Sequence, residues 1–235
     1  MKILAIGNSF SQDATAQLQL LSDKITVRNL FIGGCSLERH WHNAEGDLAE
    51  YRYEENGAAC RPALISISEA LRAEAWDVVT FQQCSGKSGL IDSYYPYLPS
   101  LTAYVRRFTP AKQVFFQTWA YETDCEHAEY PNYHHNQQEM FRMIVETTRE
   151  ISRREGLPLL RGGEALQALR ATPCFDYAHG GLSLNRDGFH LSCNYGRFFM
   201  AALWHKYFLG TLPAFLDRAD LSVPFATMRG VLEKF

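Results

Sequence analysis

The chain has 235 residues, 46% of them hydrophobic, and a formal net charge of −3. That length suits one α/β domain with a sizeable core, spanning residues 1–235, and with no run of like charge nothing suggests a nucleic-acid footprint or a basic membrane-docking face. No apolar stretch reaches the roughly 20 residues of a membrane helix, and Ile3 to Ile6 is too short for a signal-peptide core, so a cytoplasmic location is expected.

Lys2 to Ile6 predicts a first strand, ending in Gly7-Asn8-Ser9. Thr15 to Ser22 alternates polar and apolar residues at helical spacing, so the opening unit reads strand, tight turn, helix. Ile25 to Ile32 predicts a second strand, stopped by Gly33 and Gly34. Ser66 to Ala75 predicts a helix and Trp76 to Phe81 a third strand. Leu98 to Phe108 and Gln113 to Gln117 predict the next helix and strand. Asn136 to Glu155 is a long amphipathic helix, followed by a short strand at Pro158 to Arg161 and a helix at Gly163 to Arg170. Gly196 to Leu209 is apolar nearly all round, as in a largely buried helix. Alternating strands and helices predict a three-layer αβα sandwich around a mostly parallel, five-stranded sheet. Two connections, Cys35 to Pro62 and Trp119 to His135, are long and rich in aromatics, His, Asn and Glu. Connections of that length commonly carry function.

Two short motifs carry chemistry. Ser9 follows the first strand directly, where open α/β sheets bind ligands. Alone, Asn8 or Ser9 would equally well be a helix cap. Asp187-Gly188-Phe189-His190 lies just before the last predicted helix. An Asp and a His three residues apart in a tight turn can meet, the carboxylate orienting the imidazole. A serine hydroxyl needs such a base to act as a nucleophile. Ser9 as nucleophile, His190 as base and Asp187 as orienting acid form the expected triad.

These motifs resemble those of the SGNH hydrolases, also called GDSL-type esterases and lipases. The resemblance is closest to a little-characterised bacterial branch. It rests on Ile6 to Ser11, Ile32 to Trp41, Gln82 to Gly89, Thr118 to Tyr121 and Arg186 to Ser192, with Gly196 to Trp204 following. The resemblance implies a flavodoxin-like SGNH fold and ester hydrolysis through Ser9, Asp187 and His190. It implies oxyanion donors at the N–H of Ser9, at Gly33 or Gly34 (Gly34 by preference), and in a third block. There most relatives carry Gly-x-Asn, whereas this chain has Gln82-Gln83-Cys84-Ser85-Gly86. A glutamine amide can donate as asparagine does. Gln83 is therefore the expected third donor, with Gln82 close behind.

Lesser candidates surround these. Asp176 and His179 form a second Asp-x-x-His, but glycines follow it instead of a helix; His179 is expected at the substrate rim. Trp41, Trp119, Tyr121, Tyr51 and Tyr53 could stack on sugar faces. His40 with His42, and His134 with His135, invite a metal reading, but such loop histidines rarely chelate without carboxylate or cysteine partners brought in by the fold, and a role in shaping the substrate cleft is expected instead. Cys84 has no activating base nearby and reads as a small packing residue. The six cysteines are scattered without a C-x-x-C pair, so reduced thiols are expected. No cofactor, metal, nucleic acid or membrane partner is expected. The expected substrate is a small or carbohydrate ester with a short acyl group, acetyl above all. An acyltransferase, or a non-catalytic carbohydrate-binding protein on the same fold, is the alternative.

Overall fold

Ile3, Leu4, Ala5 and Ile6 are all buried, and they form β1 (Lys2–Gly7) at the centre of the sheet. A parallel strand covered by helices on both faces needs such a continuous apolar run. Its side chains alternate: Ile3 and Ala5 enter one core, Leu4 and Ile6 the other. The computed structural model describes residues 1–235.

β1 pairs in parallel with β2 (Thr26–Phe31) and with a strand at Val78–Phe81. Before the latter come β3 (Arg52–Glu55) and β4 (Ala58–Ala59), which makes it β5. β6 (Lys112–Phe116) and β7 (Leu159–Leu160) extend the parallel set. The order is β4-β3-β2-β1-β5-β6-β7. The five parallel strands follow the flavodoxin-like order.

The sheet thus has seven strands, two more than the sequence predicts. β3 and β4 form an antiparallel hairpin on the β2 edge, inside the segment read as a long connection. They are too short to show a clear period of two. The turn between them, Asn56-Gly57, has φ of 51° and 78° and is the strongest short hairpin signal a sequence carries.

One face of the sheet is covered by α1 (Ser9–Thr15) and α2 (Leu18–Leu21). The other is covered by α3 (Leu37–Glu45), α4 (Ile67–Ala73) and α5 (Tyr97–Arg106). α6 (Gln137–Glu155) contributes Met140 and Ile144 to the first core and Ile151 to the second. α7 (Gly162–Arg170), α8 (Gly196–Leu209) and α9 (Val223–Leu232) complete the first face. α3 is the other element hidden in residues 35–62, and α9 lies beyond the last predicted one. The first helix begins at Ser9, six residues earlier than its apolar spacing predicts, because the Asn8 side chain caps it. The segment 119–135 holds only a single turn at Tyr130–Tyr133, yet Trp119, Tyr121, Tyr130 and Tyr133 are fully buried and order it. No helix is long and apolar enough to cross a membrane.

Candidate active site

The site collects at the carboxyl ends of β1, β2 and β5. Asn8, buried and extended, terminates β1. Its side chain accepts from the Phe10 N–H at 2.9 Å and from the Gln82 amide at 2.6 Å, and donates to the Cys35 carbonyl at 3.1 Å. Those three bonds lock the turn that makes Ser9 the first residue of α1. The Ser9 hydroxyl lies 2.9 Å from His190 Nε2, and His190 Nδ1 lies 2.7 Å from Asp187 Oδ2.

The Asp187–His190 turn holds itself in register. Asp187 Oδ1 accepts from the His190 N–H at 2.7 Å and the Phe189 N–H at 3.3 Å. Gly188 turns the chain at φ +84°, where a Cβ would also press on Cys125 at 3.0 Å. Partial burial pushes the Asp187 carboxyl up, but the hydrogen bonds from the His190 ring and the two N–H groups outweigh it and hold the pKa below the usual 3.8. A carboxylate bonded to Nδ1–H leaves Nε2 as the lone-pair nitrogen facing Ser9.

A second carboxylate joins this turn to the serine's helix. Asp13, wholly buried one turn after Ser9, accepts from the Leu191 N–H at 2.8 Å and from Arg186 at 2.9 Å. Its other oxygen accepts from Arg197 Nε and Nη2 at 2.9 and 2.6 Å. Nothing in the sequence singles out Asp13, since a lone carboxylate in a short helix reads as a solvent-facing residue.

Ser9 and His190 open onto a cleft of about 310 Å³ whose walls include Phe10, Phe31, Gly34, Ser85, His127 and Phe189. Gly34 sits at φ +64° with open space where a Cβ would stand. The backbone N–H groups of Ser9 and Gly34 donate to no protein acceptor.

Gln83 does not reach this cleft. Its carbonyl accepts from the N–H groups of Leu37 and Cys84, and its amide donates to the carbonyl and hydroxyl of Ser93. Both ends are spent inside the protein, which corrects the expectation of a third oxyanion donor there. Gln82 is likewise committed, to Asn8. Ser85 is the one residue of this block on the cleft wall, its hydroxyl 2.8 Å from that of Tyr121. Burial pushes the Cys84 thiol up to about 11, as befits a packing residue.

The aromatic candidates face inward. Trp119 is fully buried, stacks on Phe10 at 4.3 Å and donates to the Phe189 carbonyl at 2.8 Å. Tyr121, Tyr51 and Tyr53 are also buried, and Trp41 packs against the α3–α5 core; none of the five lines the cleft. His179 bonds Asp176 at 2.8 Å but is exposed beside a different hollow. His40 is buried against Tyr51 at 2.9 Å, and no group of three or more His, Cys, Asp or Glu is placed to hold a metal ion. Ser85 and His127 were legible only as members of segments already marked as unusual.

The fold is that of the SGNH hydrolases. It superposes on a putative SGNH hydrolase from Slackia heliotrinireducens with a TM-score of 0.62 and 23% identity, covering 88% of this chain and 97% of that one. An acetyl xylan esterase, AlAXEase, superposes at 0.60 with 13% identity, over 88% and 99% of the two chains. Residues 2–213 match a domain of unknown function, DUF4886, and the chain belongs to that family. A DUF4886 family protein from Bacteroides uniformis is 32% identical, with a TM-score of 0.88 over 100% of this chain and 93% of its own. No curated protein matches the sequence.

Proposed function

We propose that this chain is a serine esterase that removes short acyl groups, acetyl groups on carbohydrate hydroxyls foremost. The reading is carried by one observation: the unbroken hydrogen-bonded row Ser9–His190–Asp187 at the mouth of a cleft. His190 Nε2 takes the Ser9 proton as the oxygen attacks the ester carbonyl. The N–H groups of Ser9 and Gly34 and the Ser85 hydroxyl hold the oxyanion. Collapse expels the alcohol, which receives the proton from His190. Water then attacks the acyl-serine, gives a proton to His190, and releases the acid as that proton returns to Ser9. Asp187 stabilises the imidazolium in both halves.

The small cleft favours a short acyl group, and the likeness to an acetyl xylan esterase supports a sugar as the alcohol. A fluorophosphonate probe, read by peptide mass spectrometry, is expected to label Ser9 in the wild type and nothing in Ser9→Ala. p-Nitrophenyl acetate should be cleaved faster than the decanoate. Absence of labelling would leave a binding protein on this fold. Acyl transfer to an added alcohol at the expense of hydrolysis would make it a transferase.

A further inference from the structure

The long segment 119–135 brings a second histidine to the cleft that the hydrolytic mechanism does not use. His127 shares the cleft with Ser9 and His190. Its Nδ1 accepts from the backbone N–H of Glu129 at 3.1 Å and lies 3.2 Å from the Tyr121 hydroxyl. A backbone N–H can only donate, so Nδ1 carries no proton and the neutral ring bears its hydrogen on Nε2. That Nε2–H has no protein acceptor and, unlike the buried unpartnered polar atoms of the chain, is open to solvent. The ring is also fixed, packed against Tyr121 and against Phe189, each at 4.8 Å between centroids. The cleft therefore presents a rigid, unspent donor among phenylalanine rings.

We propose that His127 determines specificity, its Nε2–H donating to an oxygen on the alcohol half of the substrate. The proposal rests on the esterase reading of Ser9. An acetyl group has no polar atom beyond its carbonyl oxygen, and that oxygen is held by the oxyanion donors. The partner of His127 must then belong to the alcohol. A hydrocarbon alcohol would cover the N–H without satisfying it, and sites built around a hydrogen bond reject ligands that lack its partner. The substrate class is an acetylated polyol or sugar with a free oxygen close to the acetylated position.

The test pairs two rings of equal size: a monoacetylated methyl xyloside, rich in free hydroxyls, and cyclohexyl acetate, which has none. Wild type should prefer the xyloside in kcat/KM. His127→Phe keeps a ring against Phe189 but removes the donor. It should lower the preference by roughly tenfold or more, mainly through KM for the xyloside. His127→Gln, with an amide donor, should restore part of it. An equal fall on both esters, an unchanged ratio, or a wild type without preference overturns the assignment while labelling at Ser9 persists. Loss of labelling in the wild type removes the esterase reading and this assignment together.

Discussion

The Leu191 N–H donates to the Asp13 carboxylate at 2.8 Å across a sequence separation of 178. Asp13 lies on the helix that begins with Ser9, and Leu191 immediately follows His190. The bond therefore sets the approach of imidazole to hydroxyl from behind both. Misplacement of reacting groups by about 1 Å can cost on the order of 100-fold in rate, so under the proposed esterase mechanism this buried strap should matter to turnover as well as to folding.

Asp13→Ala should damage both. It strands the Leu191 N–H and leaves Arg186 and Arg197 facing a gap. Breaking a buried pair costs about 3–5 kcal/mol, and the lower end is expected because both arginines reach solvent. Urea denaturation gives the stability loss. Turnover at a temperature where the variant remains folded should still fall, and full turnover there would show that the strap only stabilises.

Asp187→Asn should preserve the turn but mis-set the imidazole. An amide can present its N–H to Nδ1, reversing the tautomer and leaving Nε2 protonated toward Ser9. In triads of this kind the loss in kcat is about 10⁴-fold. Steady-state kinetics with p-nitrophenyl acetate would show it, and fluorophosphonate labelling should slow in parallel. A fall of only a few-fold would mean that His190 does not depend on this carboxylate.

Gln83→Ala and Ser85→Ala separate two versions of the oxyanion hole. Removing Gln83 leaves the buried N–H groups of Leu37 and Cys84 without an acceptor, at about 1–3 kcal/mol for an unsatisfied group. The midpoint of thermal unfolding should drop. Removing the Ser85 hydroxyl should leave the fold intact and lower kcat by roughly 10²–10³-fold. The opposite pattern would return the donor role to the glutamine.

Stability should also fall in mild acid through His40. Burial lowers its pKa from 6.5 to about 3, so the folded protein keeps this ring neutral. The unfolded chain binds a proton below 6.5 and the folded one does not until about 3. Stability linked to His40 is therefore full above 6.5 and declines as pH falls toward 3. Asp187 adds a loss at lower pH, as its depressed carboxyl finally protonates. Denaturation midpoints at neutral and mildly acidic pH should show a slope that flattens in His40→Phe.

The sequence makes the parallel sheet legible because buried parallel strands leave largely apolar runs, and glycines mark the ends of the first two, at Gly7 and at Gly33 and Gly34. Asp187 and His190 are readable as partners because a three-residue turn needs little tertiary information to bring an acid to an imidazole, whereas Ser9, 181 residues from His190, is joined to them only by the resemblance of its motif. The block after β5 is not readable in the same way. Gln82, Gln83 and Ser85 follow β5 within a few residues, and only the curl of the chain through the turn at Ser85–Lys87 decides which faces the cleft. The loop aromatics fail for a related reason. Trp119 and Tyr121 have the composition of a sugar platform, yet nothing local says that they pack inward. The β3–β4 hairpin was signalled by Asn56-Gly57 but obscured by strands too short to show alternation.

Trp119 has a practical consequence. Its indole stacks on Phe10, next to Ser9, and donates to the carbonyl of Phe189, next to His190. Motion of either shoulder changes the surroundings of one fluorophore. With Trp41, Trp76 and Trp204 replaced by phenylalanine so that one tryptophan remains, Trp119 becomes an internal gauge of site geometry, readable during ligand entry without any attached dye.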